Sequence, residues 1–289
     1  MTLQPPKCKL AVLSTVQVAW HGQTIHLPYF YREGAGGPSI LFLHGLGGAK
    51  ENFCAAMQSP ALTKCTLVMF DLPGTGLADF DPMLNLDVSA LSEIAEQVAS
   101  ALLPGPHWLA GASMGGLIAL LQFRRSGVGR VRGFINLEGN LTPEDCMFSR
   151  RVVPHTLESF NSLYEEMMAE LRSSCSVGDQ IIAQNMALNL DIRAYYAYSF
   201  ETVKQSDSGK LLQEFLSLQV PRLFLYGERN KTLSYLPELR SSAIQVAEVP
   251  SAGHFLFYDN PRATYQAIGN FVHSEQSALD EFCKGEMSA

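Results

Sequence analysis

The sequence predicts an α/β fold: a mostly parallel central sheet with helices on both faces and one helical insertion late in the chain. Three observations carry this reading. Apolar runs of strand length alternate with longer segments of helical period, as parallel strands joined by crossover helices do. From Leu141 to Leu218 the alternation stops and only helix-period material remains. At 289 residues, with 47% hydrophobic and 17% charged residues, the chain can bury a large core as one α/β unit with an insertion.

In chain order, strands are expected at Leu10–Val18, Thr24–Tyr31, Ser39–His44, Thr66–Asp71, His107–Ala112, Val131–Glu138, Arg222–Tyr226 and Ile244–Val249. The first two form an antiparallel edge pair, because the segment around Trp20–Gln23 is too short for a crossover helix. Helices are expected at Asn52–Met57, Val88–Leu103, Met114–Arg125, Leu236–Ser241 and Arg262–His273. Asp87 is placed to cap the second of these, and Pro104-Gly105-Pro106 ends it. The Leu141–Leu218 interval holds segments such as LESFNSLYEEMMAEL and LDIRAYYAYSFETV, rich in Met, Tyr and Phe, and is much too long for one crossover. It is expected to fold over the strand ends as an apolar lid, so that residues 1–140 and 219–289 form the core and 141–218 the lid. From about Glu275 the chain reads as a polar or frayed tail.

Charge and composition exclude some functions. A formal net charge of −7 argues against non-specific nucleic-acid binding, which needs a basic face. The first twenty residues lack the charged-then-apolar pattern of a signal peptide, and no window has the apolar length of a membrane span. The six cysteines (Cys8, Cys54, Cys65, Cys146, Cys175, Cys283) have no paired spacing, so buried free thiols in the cytoplasm are expected rather than disulfides or a metal site.

Chemistry concentrates in three loops. Gly111-Ala112-Ser113-Met114-Gly115 lies at the junction of an expected strand and an expected helix, the context in which Gly-x-Ser-x-Gly forms a nucleophile elbow. The glycines allow strand and helix to approach while Ser113 projects, and the Met114 N–H sits at a helix N-terminus, where an oxyanion is stabilised. The loop His44-Gly45-Leu46-Gly47-Gly48 can present the Leu46 N–H as a second oxyanion donor. It has neither a Gly-Lys-Ser/Thr ending nor Gly-x-Gly-x-x-Gly spacing, which argues against a phosphate loop, and His44 reads as a loop-shaping residue. Of the seven histidines, only His254 combines a late loop with the chain order Ser, acid, His, which makes it the expected base.

The strings HGLGG, DLPGTGLA, GASMGG and GHFLFYDNP stand in an order that resembles the α/β-hydrolase superfamily, over about Thr24–His273 and most weakly in the lid. In that resemblance Asp71 is architectural. One position departs from it. Many members carry the orienting acid as Gly-x-x-Asp where this chain has Gly227-Glu228-Arg229-Asn230. An asparagine there cannot hold an imidazolium by charge. Glu138, one strand earlier, is similar to the acid of some haloalkane dehalogenases and is the expected third member; Glu228, Asn230 and Asp145 are the alternatives. The rival role for Glu138 is an ion pair with Arg150 or Arg151.

The resemblance implies acyl transfer through an acyl-serine on an ester, lactone or thioester, with Ser113, His254 and Glu138 as the catalytic residues and no metal or organic cofactor. Tyr195, Tyr196 and Met167, with Tyr198, Phe200 and Met168 around them, suggest a medium-sized, mainly apolar substrate bound under the lid. Carbon–carbon bond hydrolysis, acyl transfer to a second acceptor, and a ligand receptor or near-inactive pseudoenzyme are the competing readings; Asn230 favours the last. The partner is a small molecule, without nucleic acid or membrane insertion, and the oligomeric state is left open.

Overall fold

The computed structural model of the chain describes residues 12–103 and 105–286, with side chains to residue 278. The expected strand start at Leu10, the signal-peptide reading of residues 1–11, Cys8, Pro104 and the Cys283 side chain lie outside the described residues. All eight expected strands form: β1 (Val12–Trp20), β2 (Gln23–Arg32), β3 (Ser39–Leu43), β4 (Thr66–Phe70), β5 (His107–Ala112), β6 (Val131–Leu137), β7 (Arg222–Gly227) and β8 (Gln245–Val249). They make one sheet in the order β1-β2-β4-β3-β5-β6-β7-β8. β1 pairs antiparallel with β2, and β2 with β4; every later pairing is parallel.

The inner strands are apolar on both faces because each face carries a helical layer. Leu41 and Leu43 of β3 join one core, with α2 (Val88–Leu102), α3 (Met114–Ser126), α8 (Leu211–Ser217) and α9 (Leu236–Ser241). Ile40 and Phe42, one residue out of phase, join the other, with α1 (Cys54–Gln58) and α11 (Pro261–Glu286). Trp108 and Leu109 of β5 divide in the same way, Trp108 meeting Phe271 of α11 edge to face. Asp87 caps α2, its side chain accepting the Ala90 N–H at 2.7 Å.

The structure corrects several expectations. The segment expected as one helix at Asn52–Met57 is a 3-10 turn at Lys50–Phe53 followed by α1. The chain after Glu275 is no frayed tail. α11 runs on to Glu286, because SEQSALDE is rich in good helix formers and contains neither glycine nor proline. Of the described cysteines Cys65 and Cys146 are buried, but Cys54 and Cys175 are exposed; all four are free.

Between β6 and β7 lie α4 (Ser149–Val152), α5 (Leu157–Ser173), α6 (Val177–Asn189), α7 (Ile192–Asp207) and α8. α8 belongs to the layer on the sheet, where Phe215 packs edge to face against Phe134 and Phe224. A single bridge, Thr75 to Leu190, ties the loop after β4 to the end of α6. Among the described residues no helix is long and apolar enough to cross a membrane.

Candidate active site

The six parallel strands, in the order β4-β3-β5-β6-β7-β8, end at one rim of the sheet, and the loops leaving them build the site. From His107 to Phe123 every residue is buried except Ser113. Its backbone has φ 52° and ψ −124°, a left-handed conformation disfavoured for a residue with a side chain, so the turn is strained by about 1–3 kcal/mol. Glycine is required on both sides: a Cβ on Gly111 would lie 2.4 Å from the Gly115 carbonyl oxygen, and one on Gly115 2.1 Å from that of Leu43. Ser113 is thereby lifted off the strand onto the N-terminus of α3, whose first N–H groups have no intrahelical acceptor. Met114 supplies the first of them.

Leu46 and Met114 line the same cleft as Ser113 and His254. Behind that loop, His44 is fully buried and pinned: the Leu72 N–H donates to its Nε2 at 3.1 Å, so Nδ1–H donates to the Gly45 carbonyl at 2.9 Å. Burial, the largest influence, holds its pKa below the ordinary value, as suits a neutral, loop-shaping histidine. Beneath it, Asp71 accepts from Lys50 Nζ at 2.7 Å and from the Lys50 and Leu77 N–H groups at 2.9 Å each, with both ionic side chains fully buried.

β6 ends at Leu137, and Glu138, with φ 46°, turns off the strand with its N–H still donating to the Leu225 carbonyl at 2.9 Å. Its carboxylate is 4% exposed and fully engaged. Oε2 accepts from His254 Nδ1 at 2.9 Å, and Oε1 from the Gly227 N–H at 2.7 Å. Asn230 Nδ2 donates to both oxygens, at 3.0 Å to Oε1 and 2.7 Å to Oε2. With its proton held on Nδ1, His254 keeps the Nε2 lone pair free to accept a proton. Burial pulls the His254 imidazole down; the hydrogen bond and charge of Glu138, with Asp145 and Asp179 further off, outweigh it and leave its pKa above the ordinary value.

The other acid candidates are engaged elsewhere. Glu228 accepts the Ser251 N–H, Asp145 accepts from Leu141, Thr142 and the Tyr235 hydroxyl, and Asn230 bonds to Glu138. Arg150 pairs with Asp207 and Arg151 with Glu170, which leaves Glu138 to the imidazole.

Three expected substrate contacts do not reach the cleft. Tyr195 and Met167 are 2% and 1% exposed and turn into the core beneath α5–α7, while the Tyr196 hydroxyl donates to the His155 carbonyl at 2.8 Å. The cleft is walled instead by Phe148, Ile182, Phe255 and Phe257, with polar positions at Asn52, Asn140, Asp145 and Thr202. Helical period in the sequence marks that these helices have an apolar face, but not which residues of that face meet the cleft, as Ile182 does, and which pack only on the core, as Met167 and Tyr195 do. Among the described residues no cluster of three or more His, Cys, Asp or Glu side chains is arranged to hold a metal ion.

A model described as the alpha/beta hydrolase family matches residues 40–267. By sequence the chain is 23% identical over 254 residues to the 2-succinyl-6-hydroxy-2,4-cyclohexadiene-1-carboxylate synthase of Yersinia pseudotuberculosis, covering 84% of this chain and 90% of that protein. By structure it is similar to a thermophilic esterase from Thermogutta terrifontis solved with malate bound, with a TM-score of 0.71 and 23% identity over 92% of this chain and 99% of that one. It is also similar to the N-acyl homoserine lactonase AidH in complex with N-butanoyl homoserine, with a TM-score of 0.71 and 16% identity over 91% and 97%.

Proposed function

Because the chain belongs to the alpha/beta hydrolase family, we propose that it hydrolyses an ester, lactone or thioester of a medium-sized, mainly apolar substrate through an acyl-serine intermediate. The observation that carries this is the 2.9 Å hydrogen bond from His254 to Glu138 in the cleft onto which the strained Ser113 opens. Ser113 Oγ attacks the carbonyl carbon as its proton passes to His254 Nε2, and Glu138 stabilises the imidazolium that forms. The Leu46 and Met114 N–H groups receive the oxyanion. Collapse of the tetrahedral intermediate expels the alcohol, which takes the proton from Nε2; a water molecule then repeats the sequence on the acyl-enzyme and restores Ser113. In this reading the turn before α4 and the helices α4–α7 form the lid, contributing Phe148, Ile182 and Thr202 to the cleft wall.

The cleft's charge favours an uncharged substrate. Among the described residues no lysine or arginine lines it, and Asp145 does. An anionic substrate would lose its hydration there without a counter-charge, which weighs against an acid resembling the carboxylate named for the Yersinia relative. A receptor would be favoured if Asn230 replaced the acid; its bond to Glu138, which itself holds His254, weighs against that. The test is steady-state hydrolysis of p-nitrophenyl esters from acetate to decanoate, with neutral lactones and a succinyl half-ester alongside. Sustained turnover of the neutral esters or lactones, with the half-ester poor, supports the proposal. A single burst without turnover on any of them would favour a receptor, and preference for the half-ester would overturn the substrate class.

A further inference from the structure

We infer that Asn230 is a positioning residue: its amide clamps the Glu138 carboxylate, and an asparagine rather than an aspartate is required there because the acid sits on the neighbouring strand. This rests on the roles proposed above for Glu138 and His254. Asn230 lies in the short 3-10 turn after β7, and its Nδ2 donates to both carboxylate oxygens, at 3.0 and 2.7 Å. The Gly227 N–H, from the end of the same strand, donates to Oε1 at 2.7 Å. Together with His254 Nδ1, these N–H groups engage both oxygens of a carboxylate that is only 4% exposed. A buried carboxylate left partly unpaired is costly and free to rotate away from the imidazole; held by an amide on one side and a main-chain N–H on the other, it has one orientation.

The same geometry dictates residue type. Aspartate is isosteric with asparagine, but at position 230 it would set a second carboxylate about 3 Å from the first, and two carboxylates at that distance hold one proton between them. The imidazole would then face a more negative pair as that proton left. The groups around it are fixed: Asp145, bonded to Tyr235 from α9's N-terminal side, Asp179 of α6, and Arg229, which leans toward Asp259 at 3.7 Å. No cation on these elements faces the carboxylate to absorb a second charge; Arg229 turns to the Ser251 carbonyl and Asp259.

The test is a titration of His254 by NMR in ¹⁵N-histidine-labelled protein, wild type against Asn230→Asp and Asn230→Ala, with pH profiles of kcat and KM for the best neutral ester. In N230D the His254 midpoint is expected to rise by at least about one pH unit, since a second carboxylate against Glu138 adds negative charge beside the imidazole. The acid limb of kcat/KM should move with it. KM should change less than about threefold while kcat at pH 7 falls about 10–100-fold, because a larger share of His254 is then already protonated and cannot take the Ser113 proton. N230A should lower kcat less, with the His254 midpoint unmoved upward. A His254 midpoint in N230D equal to or below that of the wild type, or N230D more active than wild type, would overturn the inference. The titration needs no substrate, so a wild type that turns over no ester refutes the proposed activity and leaves the clamp to be judged by NMR. Should N230D fail to fold, N230A decides: wild-type kcat in that variant would likewise overturn the clamp.

Discussion

Glu138→Gln isolates the charge of the carboxylate at nearly constant shape. Four hydrogen bonds converge on two oxygens: Gly227 N–H on Oε1, His254 Nδ1 on Oε2, and Asn230 Nδ2 on both. A carboxamide has one oxygen and one NH₂, and neither placement works. With the oxygen toward Gly227, the NH₂ faces His254, so Nδ1 must accept, the ring proton moves to Nε2, and the base facing Ser113 is lost. With the oxygen toward His254, the NH₂ points at the Gly227 N–H, donor against donor, and in both placements it also meets the Asn230 NH₂. The imidazolium loses its counter-charge in either case. The loss expected is that of an acid removed from a Ser-His-Asp triad, about 10³–10⁴-fold in kcat, or about 4–5.5 kcal/mol in the barrier. The assay is steady-state hydrolysis of a neutral p-nitrophenyl ester, with near-UV circular dichroism to show that the variant is folded. A folded E138Q within about tenfold of wild type would refute the assignment of Glu138 to the imidazole.

In the wild type, the acid limb of kcat/KM should lie above about 6.5, because the base must be neutral and Glu138 holds the His254 pKa up against its burial; activity therefore rises as pH rises through that raised value, and a limb at or below 6 would contradict it. Ile182→Phe fills the α6 side of the cleft and should lower the ratio of kcat/KM for octanoate over butyrate esters by about tenfold or more. Tyr196→Ala, whose hydroxyl bonds to His155 away from the cleft, should leave that ratio within about twofold; the reverse outcome would relocate the acyl site. Lys50→Met leaves the fully buried Asp71 without its counter-charge and should cost about 3–5 kcal/mol in urea unfolding at unchanged m, where a loss below about 1 kcal/mol would show the pair to be dispensable.

The sheet was legible because each inner strand is a short apolar run between breakers, and the elbow because Ser113 stands between such a run and a helix-period segment. Glu138 could be picked out because it ends a strand next to the elbow's own, so its loop opens at the same rim. Asn230 was legible only as a departure. What it does depends on a carboxylate 92 residues away in sequence, and no local pattern encodes that partner. The cleft wall failed for a related reason: Tyr195 and Met167 sit on the apolar face of their helices, and that face packs on the core. Phe148 reaches the cleft from the turn before α4, and Ile182 from the apolar face of α6 itself, a choice among apolar positions that periodicity does not record.

The most direct measurement of the central claim is labelling with a fluorophosphonate, read by mass spectrometry of the digested protein. This chemistry captures only a serine whose proton has a base to receive it and whose phosphoryl oxygen has donors to hold it. One adduct is expected, on the peptide containing Ser113, absent from Ser113→Ala and formed far more slowly in His254→Ala and Glu138→Gln. An adduct on any other residue, or undiminished labelling of S113A, would contradict it.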